Sequence, residues 1–496
     1  MAAAGARGLR RGGMTARQTV VTTVGGPERT RVVLILACVL ALASADTATV
    51  GAAAIELRRA LRISNTDIGV LVSVTSLVAA VFSLPFGILA DRIRRTWLLA
   101  GALLVWGAAM LWSATASSFG ELLIARLLLG AITAAAGPVT ASLTGDWFPA
   151  AERGRIYGYI LTGELLGAGA GFAFTGDIAA LSWQASFVIL ALPAFALAWL
   201  VARMPEPLRG GQSALAAQPR PPGNGTPRLR PEPEPADPVQ PQEIAAALGI
   251  EPDEKLAAQG AKPLSVLGTI RYILSVRTNV ALIVSGACGY YFLAGIQTFG
   301  TEFVSGQYGI GQALSNLLLL VIGVGAVAGT IASGPISDWL LHRGHLTARV
   351  TVAAVAASLT VVFFIPALIT HSAFAALPYI TMAAAMLTAQ NPPIDAARLD
   401  IMPPWLWGRS EGVRTLLRTA AQALAPLLFG AVADWIFGGG TAGLKWAFVV
   451  MLAPLAASAL YLWRARRLYP RDVATAAEAA ARHAPAAEAP GAAPAR

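Results

Sequence analysis

Three ionisable side chains of this chain stand inside long apolar runs: Asp46, Arg126 and Glu164. Within a membrane such a group costs at least about 2.5–3.5 kcal/mol at a helix centre, so it needs a partner or a water-filled cavity. Asp46 lies about 15 residues into its run and Arg126 about five residues into a run of opposite direction. At about 1.5 Å per residue, both fall at similar depth and are expected to meet. Protonating Asp46 would then free Arg126 to bind an anion. The plainer alternative is an ion pair that only locks helix packing. Glu164 is a second protonatable group, on one helix face with Tyr157 and Leu161. Its plainer alternative is a carboxyl bonded to a hydroxyl of a neighbouring helix. Tyr290, Gln297, Gln390 and Asn391 are polar groups in later apolar runs. They are candidate solute contacts or, equally, interhelical hydrogen bonds.

Other chemistries find no support. No recognisable motif brings a nucleophile, a base and an orienting group together, so no enzyme is expected. His342, His345, His371 and His483 fall in loops or tails, and Cys38 and Cys288 fall in apolar runs without ligand spacing. Neither a metal nor a cofactor is expected. There is no Gly-Lys-Ser/Thr phosphate loop.

The elements that must position these groups follow from composition. The chain is 56% hydrophobic and 13% charged, against about 25% charged in soluble domains. Mean hydropathy is +0.61, which makes it a polytopic membrane protein. The net charge of +10 lies in short segments between apolar runs, as a positive-inside bias requires, and does not point to nucleic acid. Twelve runs are long enough to span: 31–57, 66–90, 96–117, 121–143, 156–174, 183–204, 280–303, 312–333, 348–369, 374–396, 414–433 and 444–463. Residues 1–29 read as a disordered cytoplasmic tail, 30–207 as one six-helix half and 270–465 as the other. Residues 208–269 read as a Pro-rich cytoplasmic linker with a short helix near 241–248, and 466–496 as a disordered or frayed cytoplasmic tail. With the N-terminus inside, only Arg58, Arg59, Arg62 and Lys445 of the Lys and Arg residues lie outside, and Arg126 lies in the membrane.

The halves echo one another. Gly87-Ile88-Leu89-Ala90-Asp91-Arg92 ends the second run, and Gly334-Pro335-Ile336-Ser337-Asp338 ends the eighth. Gly and Asp at i and i+4 share a helix face, so a neighbour can pack on the Gly beside the Asp. Asp146 and Asp400, each three residues before a Pro, repeat the roughly 250-residue interval, which fits duplicated six-helix halves.

The stretch Gly87-x-Leu89-Ala90-Asp91-Arg92-x-Arg94-Arg95 resembles the signature of the major facilitator superfamily, with Arg94 where the family has a second Gly. Arg126-x-x-x-Gly130 is similar to that family's fourth-helix pattern. Asp146-Trp147-Phe148-Pro149, Ser182-Trp183-Gln184 and Asp400-Ile401-Met402-Pro403 look like the Spinster-like and organic-anion branch. That branch often has a Glu where this chain has Thr133, and the glycine–proline run of drug antiporters is absent. The resemblance implies an all-α fold of two pseudo-symmetric six-helix halves. It also implies a monomeric secondary transporter; the placement of bases puts both termini in the cytoplasm, and sparse Lys beside heavy Arg and Ala use points to a bacterial cell membrane. The expected activity is symport of a small organic anion with protons carried by Asp46 or Glu164 and the anion held by Arg126. Export of an amphiphile, lysolipid or drug stays open, as does a non-transporting sensor or scaffold. The family signature further implies a cytoplasmic gate of Gly87, Asp91, Arg92, Arg95, Glu152, Gly334, Asp338 and Arg414. In it Asp91 accepts from the start of the eleventh helix around Glu411–Arg414, and Arg95 pairs with Glu152.

Overall fold

A computed structural model describes residues 26–63, 65–209, 240–310 and 312–483. The first half comprises α1 (Pro27–Ala52), α2 (Ala54–Leu61), α3 (Asn65–Arg92), α4 (Arg95–Thr115), α5 (Phe119–Thr133), α6 (Ala136–Trp147), α7 (Arg153–Leu181) and α8 (Trp183–Ala202). Three short helices follow: α9 (Pro241–Ala247), α10 (Glu254–Gly260) and α11 (Val266–Ser275). The second half comprises α12 (Arg277–Tyr308), α13 (Gln312–His342), α14 (Ala348–Ile369), α15 (Ala373–Ala389), α16 (Asn391–Asp400), α17 (Trp407–Ala431) and α18 (Gly440–His483). No strand occurs among the described residues. Eleven helical stretches among them are apolar and long enough to cross a membrane. The 29-residue α7, which holds the fifth expected span, completes twelve.

Lipid offers no hydrophobic drive between helices, so close packing rests on small residues. Gly163, Gly167 and Gly171 of α7 lie directly over Ala37, Ala41 and Ala45 of α1. In the second half Gly325 and Gly329 of α13 lie over Thr381 and Ala385 of α15. Phe292, Phe429 and Phe448 form an aromatic core there, with Phe292 edge-on to Phe364 at 4.9 Å. The halves meet through two equivalent pairings, α3 with α17 and α7 with α13.

Several elements differ from their sequence expectation. The fourth span breaks at Ala134–Ala135 between α5 and α6, and the tenth breaks at Gln390 between α15 and α16. Pro392 and Pro393 explain the second break: they fit the first turn of α16 and cannot continue α15. The eleventh helix starts at Trp407 rather than near 414. The tail expected to be disordered from 466 continues α18 to His483, with Tyr469 and Val473 fully buried, and only 484–496 lie outside the described residues. The expected linker holds α9, α10 and the start of α11, while 210–239 lie outside the described residues, as do 1–25 of the expected N-terminal tail. Arg94 sits at φ −63°, ψ 118°, an ordinary extended conformation, so the turn does not need the family's Gly.

Candidate functional site

Side chains with functional potential form two layers. The first lies at the Arg-rich end of the bundle, where it joins the two halves. Asp91, at the end of α3, accepts the amides of Gly408 (2.9 Å) and Arg409 (3.0 Å) at the start of α17. Asp338, at the end of α13, accepts those of Gly154 (3.2 Å) and Arg155 (2.7 Å) at the start of α7. Each carboxylate thus meets the exposed amides and positive dipole end of a helix in the opposite half. A Cβ on Gly408 would stand 2.6 Å from Asp91 Oδ1, and one on Gly87 would stand 2.5 Å from the Gly408 carbonyl. On the other side a Cβ on Gly154 would stand 2.7 Å from Asp338 Oδ1, and one on Gly334 would strike the Gly154 carbonyl. Glycine is therefore needed on both partners of both contacts.

Two buried arginines back this layer. Arg95 pairs with Asp146 and with Glu206 (2.8 Å), and Arg349 pairs with Asp400 and Asp338 (3.3 Å). Arg349 also donates to the Ala150 carbonyl of the first half, and Tyr469 donates to Asp400 at 2.6 Å. Glu206 accepts the Arg95 and Thr96 amides, the Arg95 side chain and the Thr96 hydroxyl. Burial alone would push its pKa up, but these bonds outweigh it and hold the carboxyl below its usual range.

Three expectations are corrected here. Arg95 does not pair with Glu152, because its guanidinium is taken by Asp146 and Glu206; Glu152 instead takes Arg29 (2.6 Å) and Arg155 (3.7 Å). Asp91 docks at Gly408 and Arg409 rather than around Glu411–Arg414, because α17 starts earlier. Arg414 faces its own half, bonding Glu411 (2.7 Å) and Asp395 (3.1 Å). Arg398 shares both acids, at 2.7 and 3.5 Å. Arg92 is exposed.

The second layer lies deeper. Arg126 Nη1 donates to Asp46 Oδ1 at 2.6 Å, with side chains 1% and 2% exposed, and Arg126 Nε reaches Thr75 at 3.3 Å. The expected pair is thus brought together. Glu164 of the first half meets the Tyr290 hydroxyl of the second at 3.4 and 3.5 Å. Arg418 stacks on the Tyr290 ring, 4.4 Å from its centroid. Gln390 is fully buried, donating to Leu387 O (3.0 Å) and accepting from Ser285 (3.4 Å), so it is engaged within its own half. Asn391 is half-buried and Gln297 exposed.

Sequence reasoning missed Arg418, Arg398, Glu411 and the Arg349–Asp400 pair as candidates. For Arg418 a signal existed: it follows Arg414 by four residues and so shares its helix face. The pairs of Arg95 and Arg349 left no such trace, since their partners lie in other helices.

The sequence profile of the Major Facilitator Superfamily matches residues 36–426. The 4-hydroxybenzoate transporter PcaK of Pseudomonas putida is 31% identical over 240 residues, 48% of this chain and 51% of that protein. The hexuronate transporter of Bacillus subtilis is 31% identical over 160 residues, 32% of this chain and 37% of that protein. The matched segments thus span about half or less of these relatives. A bacterial homolog to the human lysosomal transporter Spinster, solved in an inward-facing unoccupied conformation, shares the fold: TM-score 0.55, 17% identity, 90% of this chain and 98% of that one.

Proposed function

Since the chain belongs to the major facilitator superfamily, we propose that it is a secondary active transporter that carries a small organic anion across the bacterial cell membrane, coupled to protons. The observation that carries this reading is the buried Asp46–Arg126 pair. Two opposite charges sealed from water exchange partners only when one is neutralised. Protonation of Asp46 releases Arg126 to an anionic solute, and departure of the anion lets the pair re-form and expel the proton. Glu164, bridging the halves through Tyr290, is the alternative proton carrier. Tyr290, Gln297 and Asn391 line the solute's path, while Gln390 holds α15 against α12. The two Asp–helix contacts serve as the cytoplasmic gate, and their intact hydrogen bonds support reading this conformation as outward-facing. Support for an anion also comes from the two relatives, named for 4-hydroxybenzoate and hexuronate, both organic acids.

The test is uptake of labelled 4-hydroxybenzoate and D-glucuronate into proteoliposomes under an imposed pH gradient. Asp46→Asn is expected to reduce gradient-driven uptake about tenfold or more, the effect of about 1.4 kcal/mol. Unchanged gradient-driven uptake in both Asp46→Asn and Glu164→Gln would refute proton coupling through these groups.

A further inference from the structure

The arginines in the interior of the bundle differ in how their charge is met. Arg126 is held by Asp46, Arg398 by Glu411 and Asp395, and Arg414 by Asp395 and Glu411. Arg418 has no ion-pair partner among the described residues. Its Nε is buried without a hydrogen-bond acceptor, and its guanidinium rests on the face of Tyr290. Glu164 is its counterpart: a carboxylate with no cation at ion-pair distance among the described residues and only the long contact to the Tyr290 hydroxyl.

The two residues are related by the internal repeat. The interval from Asp146 to Asp400 also separates Pro149 from Pro403, Gly154 from Gly408, Arg155 from Arg409 and Glu164 from Arg418. Gly154 and Gly408 are bound in the same way by Asp338 and Asp91, so α7 and α17 are structural equivalents. Glu164 and Arg418 each lie about 16 Å along their helix from its first residue, close to the middle of a layer about 30 Å thick. An acid and a base thus occupy equivalent positions on the two halves, with one tyrosine touching both.

We propose that Arg418 is a second anchor, taking the solute's carboxylate from Arg126 at the centre of the bundle, and that Arg418, Tyr290 and Glu164 together select a hydroxy acid. This rests on the anion-transport reading above and names the substrate class. The guanidinium fork takes a carboxylate through two parallel hydrogen bonds. Where Asp46 carries the proton, Glu164 as a carboxylate only accepts hydrogen bonds, so the far end of the solute must donate one, as a hydroxyl does. A site built for a hydroxyl discriminates strongly against the analogue that lacks it, because the site's own group is left unpaired. A solute so held touches both halves.

The experiment measures thermal stability of the purified full-length protein in detergent, with 4-hydroxybenzoate, benzoate, D-glucuronate and D-glucose as probes. A probe that binds the folded state raises the melting temperature by mass action. In the wild type, 4-hydroxybenzoate or D-glucuronate is expected to stabilise more than its partner without the hydroxyl or the carboxylate. Arg418→Gln is expected to weaken apparent affinity for the acid about tenfold or more, with Arg418→Lys retaining part of it. Glu164→Gln is expected to narrow the preference for 4-hydroxybenzoate over benzoate. If Arg418→Gln does not fold, Arg418→Lys and Tyr290→Phe carry the comparison. Acid binding that survives Arg418→Gln unchanged overturns the anchor while leaving gradient-driven uptake, and so the transport reading, standing. A wild type stabilised by none of the acids overturns the anchor, and if it also takes up none of them, the anion reading fails with it.

Discussion

Glu206 joins the end of α8 to the start of α4 by receiving two backbone amides that no helical carbonyl reaches. Arg209, three residues on, donates to the Ala90 (3.0 Å) and Ile93 (2.6 Å) carbonyls at the end of α3. The turn between α3 and α4 is therefore fastened from both sides by one short segment. Because the folded-state pKa of Glu206 lies below its ordinary value, its contribution to stability is complete above an unfolded pKa of about 4.3 and is lost as pH falls through the folded value. Glu206→Gln is expected to lower the melting temperature at neutral pH, and the gap to the wild type should close as the solution is acidified below about pH 4. Melts recorded across that range check it; a gap that stays constant would assign the loss to packing instead.

Among the elements, α7 tolerates little change where it faces α1. A Cβ on Gly167 would strike the Ala41 carbonyl and Cα of α1, while one on Gly169, two residues away, would meet nothing within 4 Å. Gly167→Ala is expected to destabilise by about 1–3 kcal/mol, the usual cost of overpacking, and Gly169→Ala to be close to neutral. Thermal melts of the two variants make the comparison, with equal stability contradicting the packing account. The start of α17 is set by packing in a different way. Trp407 Nε1 donates to the Leu399 and Met402 carbonyls, both at 3.0 Å, and its ring lies under the Arg153 guanidinium at 4.9 Å. This anchors the first turn of α17 where Asp91 can reach the Gly408 and Arg409 amides.

At the scale of the whole molecule, the halves are joined at the Arg-rich end by two equivalent contacts with unequal support. Asp338 also meets the buried Arg349, whereas Asp91 meets Arg409, which is 14% exposed. Asp91→Asn and Asp338→Asn are both expected to shift the population toward an open Arg-rich end, Asp338→Asn further, and the double variant furthest. Spin-label distances across that end measure the shift; distances unchanged in all three would reject the gate. The extended α18 belongs to the same system, because Tyr469 binds Asp400, Asp400 binds Arg349, and Arg349 binds the opposite half at Ala150. Tyr469→Phe removes a hydrogen bond to a charged acceptor and is expected to cost about 1.5–3 kcal/mol in thermal or denaturant unfolding. A variant as stable as the wild type would detach this helix from the network.

Hydropathy runs, the Gly–Asp echo and the placement of bases were enough to read two halves of six helices, because spanning lipid forces long apolar helices whatever their neighbours are. Asp46 and Arg126 were legible as partners for a related reason: charges are rare in such runs, and helix rise gives their depth. Partners that depend on how helices lie side by side were not legible. Arg95 choosing Asp146 and Glu206 over Glu152, Asp91 choosing Gly408, and α18 running on to cover Asp400 all follow from rotation and register between helices. Those are set by small-residue contacts such as Gly167 on Ala41, which a single chain read in order does not display. The meeting of Glu164, Tyr290 and Arg418 belongs to the same class, since it exists only where the two halves face each other.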